Sequence, residues 1–149
     1  MRKKYSELME KLEITLEEKS ALEALKTIPS YKLSWPRGYE NLMKPVGTAC
    51  AKIAVSKCLE EAKELADSNY ENIRSITLQN NWFFSFNMFG AKEEILYSHQ
   101  MDFDLFFGSP KEPLHRFFNE YITNLFGEPM TGSWRNLAYW NWTDINIEF

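Results

Sequence analysis

The chain has 149 residues, the usual size of one domain, and its 44% hydrophobic and 26% charged residues are ordinary for a folded protein. The formal net charge is −4, and a field of that sign disfavours phosphate contact and favours basic partners. No segment approaches the roughly 20 consecutive apolar residues of a membrane span, so no membrane helix is expected.

The first predicted elements are helices within residues 3–27. The basic start MRKKYSELMEKLE has no apolar run behind it, so a signal peptide is not expected. Thr15 and Glu18 form a T-x-x-E capping box, which predicts that two helices meet near residue 14, although one longer helix remains an alternative. The apolar stripe of these helices has near-helical spacing and comprises Tyr5, Leu8, Leu12, Leu16, Leu22 and Leu25.

A second helical stretch is predicted from about Val46 to Ala66, with its start at Lys44-Pro45. It contains both cysteines of the chain, Cys50 and Cys58. Eight residues on a helix span about 12 Å, whereas a disulfide needs Cα atoms within about 7 Å. The two thiols are therefore predicted to be unpaired, which favours a reducing compartment and a cytoplasmic location.

After Tyr70 the apolar period changes to two, as in strands. Ile76 and Leu78 face one way, WFFSFNMF reads as an aromatic strand, and Gly90-Ala91-Lys92 predicts a turn into the next strand. A third helix is predicted over 110–126, with Ser109 and Glu112 as a capping box and Gly127 as its C-terminal stop. A terminal hairpin follows.

This order predicts a single α+β domain over 1–149, mainly helical over 1–69 and mainly strands over 70–149. We expect N-terminal helices followed by a small antiparallel sheet of about four or five strands, with one further helix on one face.

The stretch HQMDFDLFF, residues 99–107, admits two interpretations. In a strand, His99 and Met101 face one side while Asp102 and Asp104 face the other, so histidine and aspartates do not converge. A half-buried strand with exposed aspartates is favoured. The alternative is a metal-dependent hydrolase in which Asp102 and Asp104 help to hold Mg²⁺.

The aromatic residues are concentrated in the second half, where residues 75–149 hold eighteen of the twenty-three. The tail SWRNLAYWNWTDINIEF alternates so that Trp140 and Trp142 share one face. These rings either pack in the core or form an exposed contact surface, since tryptophan is enriched where proteins bind one another. Charge is uneven as well, since residues 75–149 carry 4 Lys+Arg against 9 Asp+Glu.

The sequence contains no Gly-rich phosphate loop, Cys-x-x-Cys or His-Glu-x-x-His motif, so no cofactor and no metal are predicted. We therefore expect a stoichiometric binding protein, most simply an inhibitor of a basic protein partner such as a nuclease or toxin, as an immunity protein or a phage-encoded anti-defence or anti-CRISPR factor would be. Nucleic-acid binding through the N-terminal helices is a third, less favoured interpretation because their charge is balanced. The predicted partner contacts are Asp102, Asp104, Trp140, Trp142, Asp144 and Glu148.

Overall fold

The computed structural model describes residues 2–27, 40–68, 73–80, 83–102, 114–127, 129, 131–133 and 136–149. The helices are α1 (Tyr5–Lys11), α2 (Leu16–Leu25), α3 (Glu40–Asp67) and α4 (Leu114–Phe126). The strands are β1 (Arg2–Lys4), β2 (Ile73–Asn80), β3 (Phe83–Gly90), β4 (Ile95–Asp102), β5 (Thr131–Ser133) and β6 (Asn136–Glu148). The predicted α+β class is confirmed.

The strands form one mixed sheet in the order β1-β6-β2-β3-β4, with β5 paired to β6. All pairs are antiparallel except β1 with β6, in which Lys4 lies opposite Glu148. The predicted antiparallel sheet of about four or five strands is present as β2 to β6, and β1 adds one parallel edge strand that was not predicted. Arg2–Lys4 has no strand pattern of its own, and its conformation comes from a partner more than 140 residues away.

The capping box at Thr15 divides the N-terminal helical region, as predicted. The Glu18 backbone N–H donates to Thr15 Oγ1 at 3.1 Å, and the Thr15 N–H donates to Glu18 Oε1 at 3.0 Å. These two bonds satisfy donors that the first turn of a helix leaves without partners. The chain therefore forms two helices here rather than one.

Helix α3 begins at Glu40, earlier than the predicted start at Lys44-Pro45, and Pro45 lies inside it. As the sixth residue, Pro45 removes a single intrahelical hydrogen bond, the one to the Asn41 carbonyl, and a helix of 28 residues tolerates that loss. Cys50 and Cys58 are buried on this helix and unpaired, as predicted. Within the described residues, every helix is too short or too polar to cross a membrane.

The core lies between the helices and one face of the sheet. Its sheet side consists of alternate residues, which confirms the predicted period of two; they are Ile76, Leu78, Phe84, Phe86 and Met88. On β6 the register shifts, so that Leu78 opposes Trp142 while Ile76 opposes Ile145. This bulge lets Trp142 and Ile145 face the core although they are three residues apart.

Helix α4 packs against α3 and β6 and buries Phe118, Ile122 and Leu125 of its predicted stripe. Gly127, at φ +90°, ends the helix as predicted, and its N–H donates to the Thr123 carbonyl at 2.8 Å. The predicted capping box at Ser109 and Glu112 lies outside the described residues.

Candidate functional site

The tail tryptophans belong to the core, with only 2% of Trp140 and 2% of Trp142 exposed. Strand β6 lies between β1 and β2, and its inward face packs against α4. The Trp142 indole Nε1–H donates to the Gly127 carbonyl at 3.0 Å, so its polar atom has a partner. This corrects the expectation that the two rings lie at the surface as partner contacts.

Two of the predicted acidic contacts, Asp102 and Glu148, lie far apart on the sheet. Met101 on β4 is connected through the register to Phe84, Asn80 and then Trp140 on β6, and Glu148 lies eight residues further along. With about 3.3 Å per residue and about 4.8 Å per strand, Asp102 and Glu148 are roughly 30 Å apart. Asp144 lies in β6 between Trp142 and Ile145, and Asp104 lies outside the described residues.

His99 lies on the side of β4 that faces the core, opposite the buried Phe86. Its ring stacks on Tyr97 with centroids 6.4 Å apart and planes 1° apart. The strand interpretation is confirmed for residues 99–102, and among the described residues no group of three His, Cys, Asp or Glu side chains could hold a metal ion.

Among the described residues, the large apolar side chains that are exposed are Leu16, at 85%, Ile95, at 63%, and Ile14, at 41%. Ile14 and Leu16 flank the capping Thr15, where α1 meets α2. Exposed Glu10, Glu13 and Glu17 surround them in sequence. We name residues 13–17 the α1–α2 corner.

The sequence interpretation placed Leu16 in the apolar stripe of these helices, whereas the structure leaves it 85% exposed. The capping box begins a new helix, so Leu16 becomes its first residue and the helical phase of α1 does not continue through it. The signal that could have identified the corner was therefore the capping box itself. The whole segment 5–25 is acidic, with six glutamates against two lysines.

A cleft of about 540 Å³ opens beside this corner. One wall comes from the start of α2 and the other from the first half of α3, while α4 contributes one aromatic ring. The lining residues are Thr15, Glu17, Glu18, Asn41, Lys44, Pro45, Thr48 and Phe117.

Glu18, which lines the cleft, belongs to a buried ion pair. Lys52 Nζ lies 2.5 Å from Glu18 Oε1, and the two side chains are only 8% and 7% exposed. Lys52 also donates to the Glu13 carbonyl at 2.9 Å and lies 5.5 Å from the ring centre of Tyr121. These contacts tie α2, α3 and α4 together.

Tyr121 completes this network, because its hydroxyl donates to the Lys11 carbonyl at the end of α1. Burial, followed by the negative charge of Glu18, raises the pKa of the Tyr121 phenol. Both effects favour the neutral form of the phenol.

No protein-family model, no curated protein and no solved structure matches the chain.

Proposed function

We propose that the protein acts by binding a basic protein stoichiometrically, with the α1–α2 corner as a principal contact. The observation that carries this proposal is the combination of exposed Leu16 and Ile14 with an acidic surround. Protein interfaces combine an apolar centre with a polar rim in this way. The rim carboxylates accelerate the encounter with a positively charged surface.

The apolar centre supplies the affinity that the rim does not. Leu16 is 85% exposed, so a partner that covers it removes nearly a whole leucine side chain from water. Burial of one leucine contributes about 1.5–3 kcal/mol, which corresponds to roughly one to two orders of magnitude in the dissociation constant.

The biological role that fits best is inhibition of a basic protein such as a nuclease or toxin, in the manner of an immunity protein or an anti-defence or anti-CRISPR factor. Enzymes that act on nucleic acid present basic surfaces to phosphates, and an acidic protein bound there excludes the substrate. The same acidity opposes direct contact of α1 and α2 with nucleic acid.

The partner-contact roles of Asp102, Asp104, Asp144 and Glu148 stay predictions, as does the alternative of a hydrolase that uses Asp102 and Asp104. Replacing each carboxylate by its amide in the binding assay below tests the first. For the second, an increase in melting temperature with Mg²⁺ that Asp102→Asn abolishes would favour the hydrolase.

The decisive experiment compares two exposed apolar residues. The native host lysate is passed over immobilised wild-type protein, Leu16→Ser and Ile95→Ser, and the captured proteins are identified by mass spectrometry. The dissociation constant of any single stoichiometric partner is then measured at low and high salt. We expect Leu16→Ser to weaken binding by at least tenfold, Ile95→Ser to leave it unchanged, and added salt to weaken binding to all three proteins.

Equal affinity of Leu16→Ser and wild type would refute the corner as the contact surface. Failure to capture any basic protein stoichiometrically would refute the proposed function itself.

A further inference from the structure

We propose that the cleft between α2, α3 and α4 is a binding site for a free α-amino acid with an apolar side chain. Three features of the cleft carry this inference: charges of opposite sign on its two walls, a buried carboxylate oxygen that no donor of the described residues reaches, and an apolar end.

The two walls carry complementary charges. Glu17 and Glu18 lie on the α2 wall, and Lys44 lies on the α3 wall. Glu18 is already paired with Lys52, so the charges on opposite walls that remain for a ligand are those of Glu17 and Lys44. A zwitterion matches this arrangement, because its ammonium can approach the carboxylates while its own carboxylate approaches Lys44. A ligand of one charge only would be opposed by one of the walls.

One oxygen of the Glu18 carboxylate has no donor within the described part of the chain. Both of its hydrogen bonds, from the Thr15 N–H and from Lys52 Nζ, go to Oε1. Among the described residues no donor reaches Oε2, although the side chain is only 7% exposed and lines the cleft. A buried charged oxygen without a donor is costly, and a ligand ammonium would satisfy it with a charge-assisted bond.

The remaining lining distinguishes the two ends of the ligand. Thr48 lies between Lys44 and Lys52 at four-residue spacing, so the three side chains share one face of α3. Pro45 and Phe117 supply the apolar surface. The volume of about 540 Å³ falls within the range of small-ligand pockets.

The test is a titration of the ¹⁵N-labelled full chain, followed by backbone amide shifts, with three probes. L-Phenylalanine carries both charges, N-acetyl-L-phenylalanine lacks the ammonium, and phenethylamine lacks the carboxylate. We expect L-phenylalanine to shift the amides of Thr15, Thr48 and Phe117 with saturation in the micromolar to millimolar range. Each of the other probes should bind at least tenfold more weakly.

Two pairs of exposed residues provide matched variants. Lys44→Gln should weaken the binding of L-phenylalanine at least tenfold and leave the binding of phenethylamine unchanged. Lys57→Gln, on the same helix, should change the binding of neither probe. Glu17→Gln should weaken the binding of L-phenylalanine, and Glu23→Gln, also on α2, should not.

Any one of three results would overturn the amino-acid site: absence of saturable shifts, equal affinity for the three probes, or equal effects of Lys44→Gln and Lys57→Gln. No partner protein is present in the titration, so its result does not depend on whether the α1–α2 corner binds a basic protein.

Discussion

Replacement of Lys52 by methionine tests whether the buried ion pair holds the helices together. Lys52→Met keeps the length and apolar stem of the side chain but removes the ammonium group, which contacts Glu18 Oε1 at 2.5 Å and the Glu13 carbonyl at 2.9 Å. The buried Glu18 carboxylate would then lose its cation and keep the Thr15 N–H as its only described donor. We expect the protein to be strongly destabilised.

The magnitude follows from burial. Both side chains are more than nine-tenths buried, so solvent screens their attraction little. Removing one partner of a buried pair typically costs about 3–5 kcal/mol, because the other charge is left uncompensated. Domains of this size are stable by about 5–15 kcal/mol, so the loss takes a large fraction of the total.

The assay is urea unfolding followed by tryptophan fluorescence, since Trp140 and Trp142 are buried in the native state. Lys63→Met is the control, because Lys63 pairs with the exposed Asp67 at 2.8 Å and such surface pairs contribute about 0–1 kcal/mol. The double variant Glu18→Gln/Lys52→Met should be more stable than Lys52→Met alone, since no buried charge remains. A loss for Lys52→Met no larger than that for Lys63→Met would refute the reasoning.

Three further predictions concern the core and its boundaries. Gly127→Ala should lower the free energy of unfolding by about 1–2 kcal/mol, because φ +90° strains a residue with a Cβ although space is open around it; equal midpoints in urea would contradict this. Trp142→Phe should cost at least about 1 kcal/mol through loss of the 3.0 Å bond to the Gly127 carbonyl and the smaller ring, and an unchanged melting temperature would contradict it. Burial raises the pKa of Cys50 and of Cys58 from 9.0 to about 12, so folding favours the neutral thiols. The contribution of each neutral thiol to the free energy of unfolding is fully present below pH 9. It is lost as the pH rises from 9 to 12, by about 1.4 kcal/mol per pH unit for each thiol. Stability measured over that range should fall less steeply in the Cys50→Ala/Cys58→Ala variant, and parallel curves would contradict the assignment.

Local patterns predicted the elements that local interactions determine. The capping box at Thr15 located the start of α2, and alternation identified the inward residues of β2 and β3, because each signal lies within a few residues of the structure that it specifies. Gly127 was identified as a helix stop for the same reason.

The candidate site depended on long-range packing and was not predicted. The cleft joins residues from α2, α3 and α4, and the Glu18–Lys52 pair spans 34 positions, so no short motif encodes either feature. The burial of Trp140 and Trp142 likewise depends on the position of β6 within the sheet, which composition does not reveal. Aromatic abundance was therefore a poor guide to exposure.

The parallel pairing of β1 with the end of β6 has a consequence for biosynthesis. Lys3 is synthesised before its partner Ile147 and cannot pair with it until all of the intervening chain has left the ribosome. Strand β1 must therefore wait unpaired while that chain is translated, and closure of this edge belongs among the last steps of assembly.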